Sequence, residues 1–386
     1  MDFFSVPRIA LGAGSIEFLS SLTEGRTLFV AETGRVPRAA VEDALEQRTR
    51  GGSEVDLLEV GERPPTPTQA LDSARRARES KAEFVVGLGG PSALDLAKLT
   101  AVLAAHPELD TEGLGPLGDL SEGSRLPLAL IPAGPAGGAE MSWTCTLSNG
   151  PGAPLTERMN RSLLADWAIL DPTLAEALGR GSLALGAAEC VALSIESLSS
   201  EWSSPFSQAL ALGALRQLLP WSDRMGPFED RVEAPQTVLE ATALAGVACA
   251  QTGSGLARVL ARVLSPQIDR PPGLLLPLLL PGVLEFEFPA ARERLRPAQD
   301  LLGGPALQSP RELASSLRSI FQRMGIPEGL QQLGGSPVPA SPPSGLSELL
   351  QALENEPGRI GSGRVPTRGE LERLVRSAWE GVPFGD

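Results

Sequence analysis

The chain reads as a parallel α/β domain followed by a helical domain. Two observations predict this. Through the first 175 residues short apolar runs alternate with helical patterns, and after "ADWAILDPTL" (165–174) the remainder is a succession of helices. Strands separated by helices of this length are the signature of βαβ units in a parallel sheet. The change of texture falls near 173–180 and divides the chain into an α/β domain over 1–175 and a helical domain over 176–386.

Three strands carry the first half. "RTLFVAE" (26–32) is a short apolar run ending in an acid, "AEFVVGLGG" (82–90) ends in glycines, and "LPLALIPAG" (126–134) is the third. Helical patterns lie between them at 38–50, 67–79 and 93–105. Right-handed crossovers place the loops after each strand at one edge of the sheet, where ligands of such domains bind. In the second half the periodicity predicts helices over 182–200, 205–220, 234–264, 273–287, 309–323, 345–354 and 368–380. "GGSPVPASPPSG" (334–345) is rich in Pro, Ser and Gly and reads as a surface loop between two helices.

Composition narrows the function classes. A chain of 386 residues has material for roughly two or three domains and a large core. Its net charge is −14, from 33 basic and 47 acidic side chains, which disfavours nucleic-acid partners and an anionic membrane surface. Cys145, Cys190 and Cys249 are widely spaced and odd in number, so they suggest buried thiols in a reducing compartment rather than a disulfide framework. The opening "MDFFSVPRIALGAG" lacks the basic-then-apolar order of a signal peptide. The apolar run at 274–284 is short for a bilayer and contains Pro277 and Pro281, so a cytoplasmic location is expected. Tyrosine is absent and cannot serve as a general acid.

"VVGLGGPSALDLAK" (85–98) is a strand, a glycine turn and a helix start. Such a turn lets backbone N–H groups approach a pyrophosphate, and the helix dipole favours the negative charge. The spacing is not G-x-G-x-x-G, so taken alone the stretch equally describes a tight strand–helix connection.

"GLGGPSALDLAK" resembles the G-G-G-S-x-x-D-x-A-K signature of the iron-containing (group III) alcohol dehydrogenase family, relatives of dehydroquinate synthase and glycerol dehydrogenase. Other stretches follow in the family's order. "PRIALGAGSIEFL" (7–19) resembles its opening hairpin, "IPAGPAGGAE" (131–140) its I-P-T-T-x-G-T-G-S-E, and "ADWAILDPTL" its P-x-x-A-I-V-D-P-x-L. "GAAECVALSIESLSS" resembles G-x-D-A-L-x-H-A-I-E-x-x-x-S, and "PPGLLLPLLLPGVLEF" resembles H-G-x-x-N-A-x-L-L-P-x-V-x-x-F. "GIPEGLQQLG" (325–334) and "GRVPTRGELERLVRSAW" (363–379) are similar to its C-terminal helices. The resemblance implies a Rossmann-like N-terminal domain that binds NAD(P), and a helical domain that holds a metal, with cofactor and substrate meeting in a cleft between them.

By that resemblance Gly89, Gly90, Pro91 and Ser92 correspond to the pyrophosphate turn, and Asp95 and Lys98 to the motif's helix, Asp95 toward the nicotinamide end. Pro91 stands where the family has a third glycine and brings no N–H. Glu32 corresponds to an acid near the adenosine ribose. A carboxylate there accepts from the 2′-hydroxyl and repels a 2′-phosphate, favouring NAD over NADP. Outside that context Glu32 is an exposed loop acid. Ala133 and Gly134 replace two threonines.

The family holds its metal with an Asp and a His four apart on one helix and two later histidines. The corresponding residues are Glu189, Leu193, Arg258 and Pro272, and a further cleft histidine corresponds to Arg262. The chain's single histidine, His106, lies far away at a solvated helix end and is assigned no role. Leucine and proline offer no ligand atom and arginine only donors, so no metal is expected. Arg258 and Arg262, four apart on one helix face, could stabilise an oxyanion or hold a carboxylate, with Glu189 as an ion-pair partner. The plainer reading is a structural Glu189–Arg258 pair filling the vacated space. Glu196, on the same helix as Glu189, reads as a packing residue.

Three functions follow from the resemblance. The first is an NAD-linked, metal-independent oxidoreductase acting on a small alcohol, aldehyde or keto acid, with a homodimer as the assembly to test. The second is an inactive relative that binds nucleotide or serves as a scaffold. The third is a lyase or cyclase using the same fold.

Overall fold

The computed structural model describes residues 7–22, 24–34, 36–114, 120, 124–176, 178–222, 234–303, 308–333 and 361–385. By contacts the chain forms two compact units. One comprises Met1–Gly150, Thr156–Leu183 and Val232–Gly246, and the other Pro151–Leu155, Ala184–Arg231 and Val247–Asp386. The units therefore interleave in sequence, whereas the sequence reading divides the chain once, at 175/176.

The first unit is built on a six-stranded parallel sheet. Its strands are β1 (Arg8–Leu11), β2 (Thr27–Glu32), β3 (Val55–Val60), β4 (Phe84–Gly89), β5 (Leu128–Pro132) and β8 (Trp167–Leu170), in the order β1-β8-β5-β4-β2-β3. β6 (Thr144–Leu147) and β7 (Thr156–Met159) make a separate antiparallel pair. β2, β4 and β5 are buried along their whole length, as expected of central strands covered on both faces. Alternate side chains feed two cores. Val30, Val85, Leu128 and Leu130 pack with α2 (Pro67–Glu79) and α3 (Pro91–Ala105), while Phe29, Val86, Leu88 and Ile131 pack with α1 (Arg38–Arg50).

The chain leaves β2 toward β3 on one side and returns to place β4 on the other. The sheet order therefore reverses between β2 and β4, where Ala31 pairs with Leu88. Ligands of open parallel sheets bind beyond the carboxyl ends of the strands at such a switch point. Glu32 and Gly89 are the terminal residues of those two strands.

Several expectations are corrected in the first unit. Residues 7–19 do not form a hairpin: β1 pairs in parallel with β8 and is followed by a 3-10 helix at Ser15–Ser21. β3, β6 and β7 were not anticipated. β3 lies at the sheet edge with a half-buried pattern, and its "VDLLEV" carries two acids among its apolar residues. His106 does end α3, but its ring is mostly covered and lies 2.8 Å from the Ser124 carbonyl.

The short helix α4 (Pro172–Glu176) ends the α/β segment, and α5 (Arg180–Ser199), α6 (Pro205–Ser222) and α7 (Ala234–Thr252) follow. The expected 234–264 helix is two: Gly253, at φ +68°, breaks it, and α8 (Leu256–Ile268) begins afresh. α9 (Pro272–Leu295) continues through Pro277, Pro281 and Pro289 and is longer than the 273–287 expected. α10 (Pro310–Arg323) and α11 (Arg368–Glu380) complete the second unit, and the 345–354 helix and 334–345 loop fall outside the described residues. Gly181–Ser199 and Pro272–Ala298 are long and apolar enough to cross a membrane, contrary to the expectation that the longest apolar run is too short; 78% of each apolar window is buried inside the protein. Cys145, Cys190 and Cys249 are buried and not joined in disulfides.

Candidate functional site

The glycine turn joins β4 to α3. Gly89 has φ +144°, a conformation that favours glycine, and a Cβ there would lie 2.6 Å from the Glu32 Cβ and 3.1 Å from the Ala93 Cβ. The turn thus needs glycine for its own packing against Glu32 and Ala93. Glu32 is not the exposed acid of the plainer reading: it is 1% exposed, and its Oε2 accepts the Gly90 N–H at 2.9 Å. Gly90 is the N-cap of α3, Pro91 follows at its first position without an N–H, and the Ser92 hydroxyl donates to the Glu62 carbonyl at 2.6 Å. Glu32, Gly89, Gly90, Pro91 and Ser92 therefore lie together where β2 and β4 end.

Asp95 and Lys98 are placed differently. Both are buried, at 5% and 0% exposure, and their nearest charged atoms are 3.2 Å apart. Lys98 Nζ also donates to Ser142 Oγ at 3.1 Å and to the Thr144 carbonyl at 2.8 Å, while Asp95 Oδ2 accepts the Thr146 N–H at 2.9 Å. The expectation that Asp95 faces a nicotinamide and Lys98 contacts cofactor is corrected: the two side chains clamp α3 to the start of β6. Burial pushes the Asp95 carboxyl up, against the pull of the Lys98 ammonium and the Thr146 N–H. The neighbouring Cys145 thiol is pushed up by burial too, and then by Asp95, which leaves it a poor nucleophile. Ser142, Thr144 and Thr146 gave no sequence signal, because they contribute backbone groups and one hydroxyl from a short strand.

In the second unit α5 carries Glu189, Leu193 and Glu196, and α8 carries Arg258 and Arg262. Each α5 carboxylate meets the start of a following helix. The Glu196 Oε1 accepts the Arg258 N–H at 3.1 Å in the first turn of α8. Glu189 lies against the first turn of α9, where a Cβ on Gly273 would come within 2.5 Å of its carboxyl carbon. Carboxylates at helix N-termini are stabilised by the helix dipole and by N–H donors that have no partner within the helix. Burial pushes the Glu196 carboxyl up, opposed chiefly by the Arg258 charge and its N–H. Arg262 is 4% exposed and its Nη1 donates to Ser254 Oγ at 3.1 Å. Arg258 is half-buried.

These residues test the fit of a divalent metal at the family's ligand positions. Leu193 is 2% exposed and apolar, and its carbonyl accepts from the Cys249 thiol at 3.3 Å. Pro272 is the first residue of α9. Glu189 alone of the four has a ligand atom, so the set does not fit an ion that needs roughly three or more protein donors. Among the described residues no three His, Cys, Asp or Glu side chains gather into a group able to hold a metal.

A second polar cluster was not anticipated. Glu287 on α9 is 5% exposed and hydrogen-bonded by the Ser362 hydroxyl, which also lies 2.8 Å from the Arg364 carbonyl. Burial pushes the Glu287 carboxyl up to about 7; the Ser362 hydroxyl and the Arg294 guanidinium oppose the rise, and the Glu196 and Glu201 carboxylates add to it.

Comparison with known proteins supplies the context. The profile "Iron-containing alcohol dehydrogenase" matches residues 7–172, and "Fe-containing alcohol dehydrogenase family, C-terminal" matches residues 187–339. The probable alcohol dehydrogenase EutG of Escherichia coli K12 is 27% identical over 346 residues, covering 86% of this chain and 85% of its own. Long-chain-alcohol dehydrogenase 1 of Geobacillus thermodenitrificans is 28% identical over 344 residues, covering 88% of this chain and 84% of its own. The iron-containing alcohol dehydrogenase of Thermococcus thioreducens superposes with a TM-score of 0.85 at 22% identity, covering 98% of this chain and all of that one, a likeness of fold. With both halves matched in order, the chain belongs to the iron-containing alcohol dehydrogenase family.

Proposed function

We propose that the protein is an NAD-linked oxidoreductase interconverting a small alcohol with its aldehyde or keto acid, and that it works without a catalytic divalent metal. Membership of a family whose relatives are named alcohol dehydrogenases supports the reaction class. The observation that carries the metal-independent part is the donor set: Leu193, Arg258 and Pro272 stand where the resemblance puts three of four ligands. A bound nicotinamide would supply the hydride. The chain's part is to receive the pyrophosphate at the Gly89–Ser92 turn and to stabilise the carbonyl oxygen as it gains charge through Arg258, with Arg262 adding positive charge beside it. Glu189 holds the start of α9 and balances that charge.

The reading is tested by assaying purified protein with NADH and a panel of small aldehydes and keto acids before and after exhaustive chelation. Turnover that survives chelation and falls about 100-fold or more in Arg258→Ala is expected. Turnover that appears only when Fe²⁺ or Zn²⁺ is added would sink the metal-independent part. One observation favours the inactive-relative reading: at the glycine turn the Gly90 N–H is engaged by Glu32 and Pro91 has none to offer. That reading expects no turnover with any member of the panel.

A further inference from the structure

We propose that Glu32 is a resident anion of the dinucleotide turn, holding the Gly90 N–H that a pyrophosphate would take, so that a nucleotide's phosphate competes with it for that donor. The inference rests on the reading above that this turn receives a nucleotide.

Three observations carry it. The first is position: β2 and β4 are neighbours at the point where the sheet order reverses, so their terminal residues Glu32 and Gly89 meet beneath the ligand edge. The second is geometry. The Glu32 side chain is buried, packs on the Cα of Gly89 where any side chain would collide with it, and accepts the Gly90 N–H at 2.9 Å. The third is the supply of donors. Of the first residues of α3, Gly90 gives its N–H to Glu32, Pro91 has none, and the Ser92 hydroxyl is directed to the Glu62 carbonyl, so the backbone N–H groups of Ser92 and Ala93, ahead of the first intrahelical bond from Leu94, are the donors left to an incoming phosphate. A helix N-terminus attracts an anion through these groups and its dipole. Here a carboxylate of the chain itself already satisfies that attraction, and its charge opposes a second anion at the same place. A ribose acceptor would leave the Gly90 N–H to the phosphate; this glutamate instead reaches back to it.

The two roles separate by substitution. Glu32→Asp is one methylene shorter: it keeps a carboxylate at the end of β2 and withdraws from Gly90. Glu32→Gln keeps the reach and removes the charge. Pro91→Ala returns an N–H to the turn without touching Glu32, and serves if the Glu32 variants do not fold. NADH, ADP and adenosine are titrated by calorimetry into the full-length protein and each variant, with circular dichroism checking the fold. Displacement predicts that both Glu32 variants bind NADH and ADP about five-fold tighter than the parent, and adenosine equally. Pro91→Ala is expected to gain about three-fold on the two phosphate ligands. Unchanged affinity for NADH and ADP in all three variants overturns the inference. Weaker binding of NADH and adenosine alike by Glu32→Gln also overturns it, making Glu32 a ribose acceptor while leaving the nucleotide reading intact. Absence of NADH binding by the parent and every variant overturns both.

Discussion

The glycine turn of the first unit and the α5/α8/α9 cluster of the second are the two places where this family's chemistry is expected, and they are built in different ways. At the turn it is the backbone that sets the shape: Gly89 has a positive φ, β4 runs into α3 through Gly90, and the switch in strand order lies beside it. In the cluster it is side chains that set the chemistry: apolar Leu193 on α5, N-terminal Pro272 on α9 and cationic Arg258 on α8. A site made of main-chain amides depends on the path of the loop, whereas a site made of side chains depends on which residues the helices carry. Both regions then turn inward for their polar partners. Glu32 takes the Gly90 N–H, and Glu196 takes the Arg258 N–H.

The largest effect expected from breaking this comparison is at Lys98. Lys98→Met leaves Asp95 buried without its ammonium partner and should cost about 3–5 kcal/mol, read as a lower denaturant midpoint. The double variant with Asp95→Asn removes the stranded charge and should recover a large part of that loss. Equal losses in the single and double variants would mean that the clamp acts through shape rather than charge.

In the second unit the corresponding buried group is Glu287. Its carboxyl is raised from 4.5 to about 7, so the folded protein holds the proton more tightly than the unfolded chain does. The contribution is fully present below about pH 4.5 and is lost as pH rises through about 7, a change of up to about 3 kcal/mol. Thermal melts between pH 4.5 and 8 should show this fall superposed on the other titrations, and Glu287→Gln should flatten it. A slope identical in parent and variant would remove Glu287 from the pH dependence.

The smallest effect sharpens the comparison with a device that both units share. Thr66 and Thr367 each complete a capping box, with Gln69 and Glu370 respectively. Thr66→Ala and Thr367→Ala should each cost about 1 kcal/mol. Similar losses would show that the two units differ in their polar clusters and not in how their helices are secured; a much larger loss at one would point to a difference in unit stability.

The sequence by itself determined the order of elements and the family. The helices at 38–50, 67–79 and 368–380 agree with the structure to the residue, because caps, periodicity and breakers are local signals. The glycine turn was legible for the same reason: it is a statement about which residue stands at a position. Elements whose burial depends on distant partners were not legible, among them the exposed edge strand β1, the half-buried β3 and the β6/β7 pair. Only the tertiary structure decided that Glu32 reaches across 58 positions to Gly90, that Asp95 and Lys98 face Thr144 and Thr146 rather than a ligand, and that Glu189 and Glu196 meet the starts of α9 and α8. A carboxylate's role is set by which N–H or ammonium group folding brings within about 3 Å of it, and no local pattern encodes that distance.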